Sequence, residues 1–196
     1  YPFAFIMAGK TSNIRRTMFM LIMLPMWMNF LLRTYSWMTI LENNGLINRF
    51  LGIFGIGPFE MINTQGAVVL GMVYDYLPFM IYPIYNILNK MDKSYMEAAA
   101  DLGATPWQVF WKVQVPLSMP GIISGVMMVF MPTVSTFAIS EFLTNNKIKL
   151  FGTIIQENIN SSMWNYGAAL SLVMLVIIGM TSLLQDNKKE VSGGTV

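Results

Sequence analysis

Four stretches of this chain are apolar over the length needed to cross a bilayer, and that constrains its fold more than any other feature. They run from about Thr17 to Leu41, Gly66 to Leu88, Gly121 to Leu143 and Tyr166 to Leu184. A helix crossing the hydrocarbon core takes about 20 predominantly apolar residues, so each is read as one full span. Backbone groups in lipid must be satisfied within the protein, so helices are expected throughout. Pro25, Pro78, Pro83 and Pro132 fall inside these spans, where neighbouring helices can re-satisfy the carbonyls they free. Gly121 and Gly125 form a G-x-x-x-G step, a pattern that lets helix backbones approach closely.

Composition agrees. Of the 196 residues, 55% are hydrophobic and 11% charged, against about a quarter charged in a soluble domain. There is no Cys and no His, which removes disulfides, thiol nucleophiles, the common zinc sites and any Ser-His-Asp triad. No metal or other cofactor is expected. A net charge of +2 with no basic run gives no footing for nucleic acid.

The opening run YPFAFIMAG is too short to span and lacks the basic region and cleavage site of a signal peptide. It reads as the tail of a fifth helix whose beginning is missing. Gly9-Lys10-Thr11 resembles the end of a phosphate-binding loop, but Ala4 stands where that loop needs glycine. ATP binding is therefore assigned to another chain.

Lys10, Arg15, Arg16, Lys90, Lys93, Lys112, Lys188 and Lys189 fall on one side of the spans; Arg33, Arg49, Lys147 and Lys149 fall on the other. The richer side is cytoplasmic by the positive-inside rule. The outer loop from Glu42 to Gln65 has an apolar stretch around Phe50 to Phe59 that suits a small interfacial helix. The polar tail from Gln185 to Val196 is expected to fray.

The cytoplasmic loop between the second and third spans, residues 90–119, carries two helix signals. Ser94 and Glu97 have the spacing of a capping box, Ala98, Ala99 and Ala100 favour helix, and Gly103 suits a left-handed helix end. Thr105, Pro106 and Gln108 then provide a second capping box with proline at the first helical position. Trp107, Phe110, Trp111 and Lys112 give the second helix an amphipathic pattern, and Pro116 and Pro120 close it. Two short helices meeting at a glycine make an L-shaped projection suited to a partner's groove.

Glu97-Ala98-Ala99, Gly103, then Val113-x-Val115-Pro116 resembles the EAA motif of binding-protein-dependent ABC importer permeases, whose pattern ends I-x-L-P. The departures, Val113 and Val115, are conservative. YPFAF, NNGLIN, LPFMIYPIYN and the long run from Arg15 to Leu41 look like the spermidine/putrescine branch of that family. The resemblance implies an all-α, MetI-like helical bundle in the bacterial inner membrane, forming one permease domain over residues 1–196. It implies ATPase subunits docking on the loop, with Glu97, Ala98, Ala99, Gly103 and Pro116 in the coupling motif. A second, homologous permease and a periplasmic substrate-binding protein complete the expected assembly. The subunit would then transport, and hydrolysis would belong to its ATPases.

Residues for a polyamine path are candidates on chemical grounds. Ammonium groups need carboxylates and aromatic faces, and ionisable residues inside spans are functional candidates by default. Asp75, Tyr76, Glu141 and Trp27 are the candidates. Each has a second reading: Arg33 and Asp75 lie at similar depth and suit a structural ion pair, and Glu141 suits the membrane interface. Another cargo (thiamine, iron or an inorganic anion), a scaffold and an intramembrane carboxylate enzyme are the alternative functions. Asp75 counts against an anion path, and Asp75 and Glu141 lie on different spans with no motif joining them as an enzyme pair.

Overall fold

The computed structural model describes residues 1–193, with side chains through Leu183, and the described residues contain helices and no strand. In order they are α1 (Pro2–Ala8), α2 (Ser12–Trp27), α3 (Phe30–Leu41), α4 (Leu46–Ile53), α5 (Gln65–Lys90), α6 (Ser94–Asp101) and α7 (Pro106–Val109). A π-helical turn, Phe110–Gln114, leads into α8 (Val115–Leu117), followed by α9 (Met119–Ser135), α10 (Ala138–Thr144), α11 (Phe151–Asn160) and α12 (Trp164–Gly193).

Two helices, Gln65–Lys90 and Trp164–Leu183, are each long and apolar enough to cross a membrane. The number rises to four if each bent pair of helices counts as one span. The expected first span is such a pair: it breaks between Trp27 and Phe30. The cause is local. Asn29 leaves helical geometry at ψ 129°, and its side chain accepts from the Leu31 and Leu32 N–H groups at 2.8 and 3.4 Å, which starts a new helix. The expected third span also stops early, at Ser135, and resumes as α10 after Phe137. The other bent pair joins Pro106–Leu117 to Met119–Ser135 at 59°.

The chain forms two compact units. The first comprises Tyr1–Leu24 and Leu77–Val129. Its core is Ala4, Met7, Ile81 and Ile84, flanked by Met18, Phe19 and Ile122 among others. The G-x-x-x-G step packs α9 onto α5 here. A Cβ on Gly121 would lie 2.9 Å from the Pro83 carbonyl oxygen, and one on Gly125 would lie 2.9 Å from Met80 Sδ. Both are closer than side-chain carbons approach; the Pro83 backbone holds position 121 to glycine, whereas at 125 the flexible Met80 side chain would have to shift.

The second unit comprises Pro25–Tyr76 and the segment from Phe130 onward. Buried Asn48 braces its loop, with Nδ2 donating to Glu42 O and Phe59 O at 3.2 and 2.9 Å while Oδ1 accepts from Phe59 N at 2.9 Å. The expected small helix is present in this loop at Leu46–Ile53, overlapping only the start of its apolar stretch. Only 6% of the α12 span is buried, against 50% for α5; α12 presents apolar residues nearly all round, as a lipid-facing helix does. Its helix continues to Gly193 where fraying was expected, and residues 194–196 lie outside the described residues.

Candidate functional site: an exposed elbow and a buried ion pair

The elbow belongs to the first unit. Its first arm, α6, begins differently from the sequence expectation. Lys93 is the N-cap and makes no side-chain capping bond; the Asp92 carboxylate instead accepts from Ser94 N at 3.0 Å. The Ser94–Glu97 capping box is therefore not formed, and Glu97 stands exposed in the first turn. Ser94 is the first residue of the helix, so its own side chain is one position too late to cap it. The Ser94 backbone N–H and hydroxyl hold the Asp92 carboxyl below the ordinary carboxylate range.

Gly103 ends this arm at φ +83°. Its N–H donates to Ala100 O at 2.8 Å, and Ala104 N–H donates to Ala99 O at 3.1 Å. These are the two bonds of a Schellman ending, which needs the left-handed conformation that glycine takes without cost. Thr105 and Gln108 form the second capping box: Thr105 N–H donates to Gln108 Oε1 at 2.9 Å and Gln108 N–H to Thr105 Oγ1 at 3.4 Å.

Pro116 does not close the second arm. The π turn makes Val115 N–H bond to Phe110 O, widening the helix one residue before the proline. That relieves the clash between a proline ring and the preceding turn, and helix continues to Leu117. The arms are braced where Gln114 Nε2 lies 2.7 Å from Met96 Sδ. Phe110 anchors the second arm to α1, in edge contact with Tyr1 and Phe5 at 5.6 and 5.5 Å between ring centres, and Tyr1 Oη lies 3.0 Å from Ser118 Oγ.

At the corner the surface is apolar. Leu102 is 90% exposed, and Trp107 and Trp111 are also exposed, their rings in edge contact at 5.7 Å. Ala98, Gly103 and Pro116 are exposed and Ala99 is half-buried. The structure brings the motif residues onto one stiff projection. Leu102 was not among the sequence candidates; an apolar residue directly before a helix-ending glycine was its only signal.

The second unit contains an ion pair between Arg33 on α3 and Asp75 on α5, with Nε–Oδ1 2.5 Å. The side chains are 10% and 1% exposed. The guanidinium carbon lies 5.8 Å from the ring centres of both Phe30 and Tyr74, and Nη1 donates to Pro25 O at 2.7 Å. Tyr74 is fixed in turn by edge contact with Trp37 at 5.3 Å. Tyr76 is buried, its hydroxyl donating to Pro132 O at 3.3 Å. Glu141 is exposed on α10. Trp27, at the end of α2, is 92% exposed. The four candidate path residues therefore do not converge on one described site. Among the described residues no group of three or more acidic side chains is placed to hold a metal ion.

The chain is 36% identical over 187 residues to the spermidine/putrescine transport system permease protein PotB of Salmonella typhimurium strain SL1344, covering 94% of this chain and 65% of the relative. It is 39% identical over 183 residues to PotB of Haemophilus influenzae, covering 92% and 64%. The chain thus spans just under two thirds of the length of these relatives. In fold it matches a chain of a crystal structure of a bacterial alginate ABC transporter in complex with alginate pentasaccharide-bound periplasmic protein, with TM-score 0.76, 15% identity and coverage of 94% and 68%. Residues 1–187 match the family described as binding-protein-dependent transport system inner membrane component. With that match over nearly its whole length, the chain belongs to the binding-protein-dependent transport system inner membrane component family.

Proposed function

We propose that this chain is a permease subunit of an ATP-driven ABC importer, and that its cargo is a polyamine, spermidine or putrescine, delivered by a periplasmic binding protein. The observation that carries the reading is 36–39% identity to spermidine/putrescine permeases over more than nine tenths of this chain. The protein would be multi-pass in a bacterial inner membrane and pair with a second, homologous permease. Residues 1–196 would act as one permease domain.

In this reading loop 90–119 seats in a cleft of an ATPase subunit. Leu102, Trp107 and Trp111 supply apolar surface that leaves water on docking, while Glu97 and the alanines beside it form the recognised arm. Gly103 sets the corner and Pro116 lies in the segment that transmits motion to α9. Because Phe110 packs on Tyr1 and Phe5, displacement of the elbow is also passed to α1. Asp75, Tyr76, Glu141 and Trp27 remain the candidate path residues.

Uptake of labelled spermidine and putrescine into proteoliposomes tests the proposal. The vesicles would hold the full-length protein with its second permease and ATPases, and the binding protein would be added outside. ATP-dependent accumulation supports it. A complex that hydrolyses ATP with its binding protein but accumulates neither amine would remove the cargo assignment.

A further inference from the structure

We infer that Arg33 is an internal stand-in for a substrate ammonium: the guanidinium occupies an alkylammonium site on Asp75, and cargo enters that site by displacing it. The inference deepens the polyamine reading above and rests on it for the identity of the displacing cation.

The surroundings of the guanidinium are those an alkylammonium needs. It has one carboxylate oxygen at 2.5 Å, two aromatic rings at 5.8 Å and one backbone carbonyl at 2.7 Å. Carboxylate, π-faces and carbonyl are also the groups that replace the water of a primary or secondary ammonium. Arg33 moreover covers the anion, being the more exposed member of the pair at 10% against 1%. A cation approaching Asp75 meets Arg33 first.

Exchange solves an electrostatic problem. A carboxylate left bare in a span is costly, and so is a path lined by such groups between transport cycles. If one cation leaves as another arrives, Asp75 keeps a counter-charge throughout. The displaced guanidinium has a resting place nearby. Its Nη1 already bonds to Pro25 O, within the last turn of α2, where the helix ends at Trp27. Carbonyl groups at a helix C-terminus attract cations. The break at Met28–Asn29 thus serves a purpose, placing a helix C-terminus within reach of Arg33. An anion or neutral solute would gain nothing from this arrangement, so the site also discriminates by charge.

The test uses the complete importer complex and propylammonium as the probe. Arg33→Met uncovers Asp75 without supplying a cation. Millimolar propylammonium should raise the thermal unfolding midpoint of the Arg33→Met complex. The wild-type protein, where Arg33 competes for the site, should need a severalfold higher concentration for the same rise, and an Arg33→Met/Asp75→Asn variant should not respond. No response in Arg33→Met, or one that survives loss of the Asp75 charge, overturns the exchange. Should Arg33→Met not assemble, Arg33→Lys retains a charge with fewer bonds, and its half-stimulating spermidine concentration for ATP hydrolysis should fall several-fold. An unchanged or raised concentration contradicts the inference. The two proposals fail separately. Propylammonium binding to Arg33→Met without wild-type polyamine uptake removes the cargo, whereas wild-type uptake with an unresponsive Arg33→Met removes only the exchange.

Discussion

Gly103 N–H donates to Ala100 O at 2.8 Å while Gly103 itself sits at φ +83°, and that bond fixes the angle at which the two arms of the elbow meet. A Cβ at Gly103 would meet nothing within 4 Å, so substitution there is a pure backbone perturbation. Left-handed geometry costs an ordinary residue about 1–2 kcal/mol, and Asn tolerates it better than β-branched residues. Gly103→Val should therefore uncouple ATP hydrolysis from transport with little loss of thermal stability, and Gly103→Asn should be milder. Paired measurements of ATPase rate and uptake check the order; equal behaviour of the two variants would remove the conformational explanation.

The second arm depends on its cap. Replacing a Thr N-cap by Ala typically costs about 0.5–2 kcal/mol: Thr105→Ala loses the Oγ1 that accepts from Gln108 N–H, while the Thr105 N–H keeps its bond to Gln108 Oε1. Proteolysis at Ala104–Val109 should accelerate in Thr105→Ala, with Thr105→Ser close to wild type. An unaltered cleavage rate in Thr105→Ala would show that packing of Phe110 holds this arm without its cap.

Contact between α5 and α9 permits no side chain at Gly121. A Cβ there would lie 2.8 Å from Ile87 Cγ1 as well as 2.9 Å from Pro83 O, and the carbonyl cannot rotate away. Overpacking costs about 1–3 kcal/mol. Gly121→Val should lower the unfolding midpoint in detergent, whereas Gly179→Val, with nothing within 4 Å, should not. Equal midpoints for the two would contradict the close approach.

Much of this was legible in the sequence, because the determining signals are local. The glycine at 103 and the Thr105–Pro106–Gln108 cap specify their own bonds, and span lengths depend on apolar runs alone. The errors arose where a distant or competing group decided the outcome. Asn29 broke an apolar run because its amide bonds to N–H groups ahead of it. The helix begins at Ser94 itself, and Asp92 accepts from its N–H, a one-residue shift of the start that the spacing rule does not fix. Pro116 passed within a helix because a π turn precedes it, a change of hydrogen-bond register that no residue type marks. The Arg33–Asp75 pair was suggested by similar depth, but the enclosing rings of Phe30 and Tyr74 required the helices to be in place.

Acid should loosen the start of α6. The Asp92 carboxyl titrates below its ordinary value because it accepts from Ser94 when charged. With the folded value depressed, the stabilising bond is fully present above the unfolded value of about 3.9. It is lost as pH falls through the folded value. Carbon NMR of labelled aspartate should give Asp92 a midpoint below that of free aspartate, and Ser94→Pro, which removes the N–H donor, should raise it. An ordinary midpoint in the unaltered chain would show that Asp92 does not cap.

Whether loop 90–119 docks on an ATPase is tested most directly by crosslinking from its corner. The 196 residues contain no cysteine, so Leu102→Cys would give this segment one thiol at a site 90% exposed in the isolated chain. A short thiol–amine crosslinker applied to membranes carrying the assembled importer should join Leu102→Cys to the ATPase subunit. Trp27→Cys, equally exposed but at the end of α2 and outside the loop, should give no such product. An ATPase adduct from Leu102→Cys alone would place the elbow in the ATPase cleft. Absence of that adduct from an assembled, ATP-hydrolysing complex would contradict the docking role.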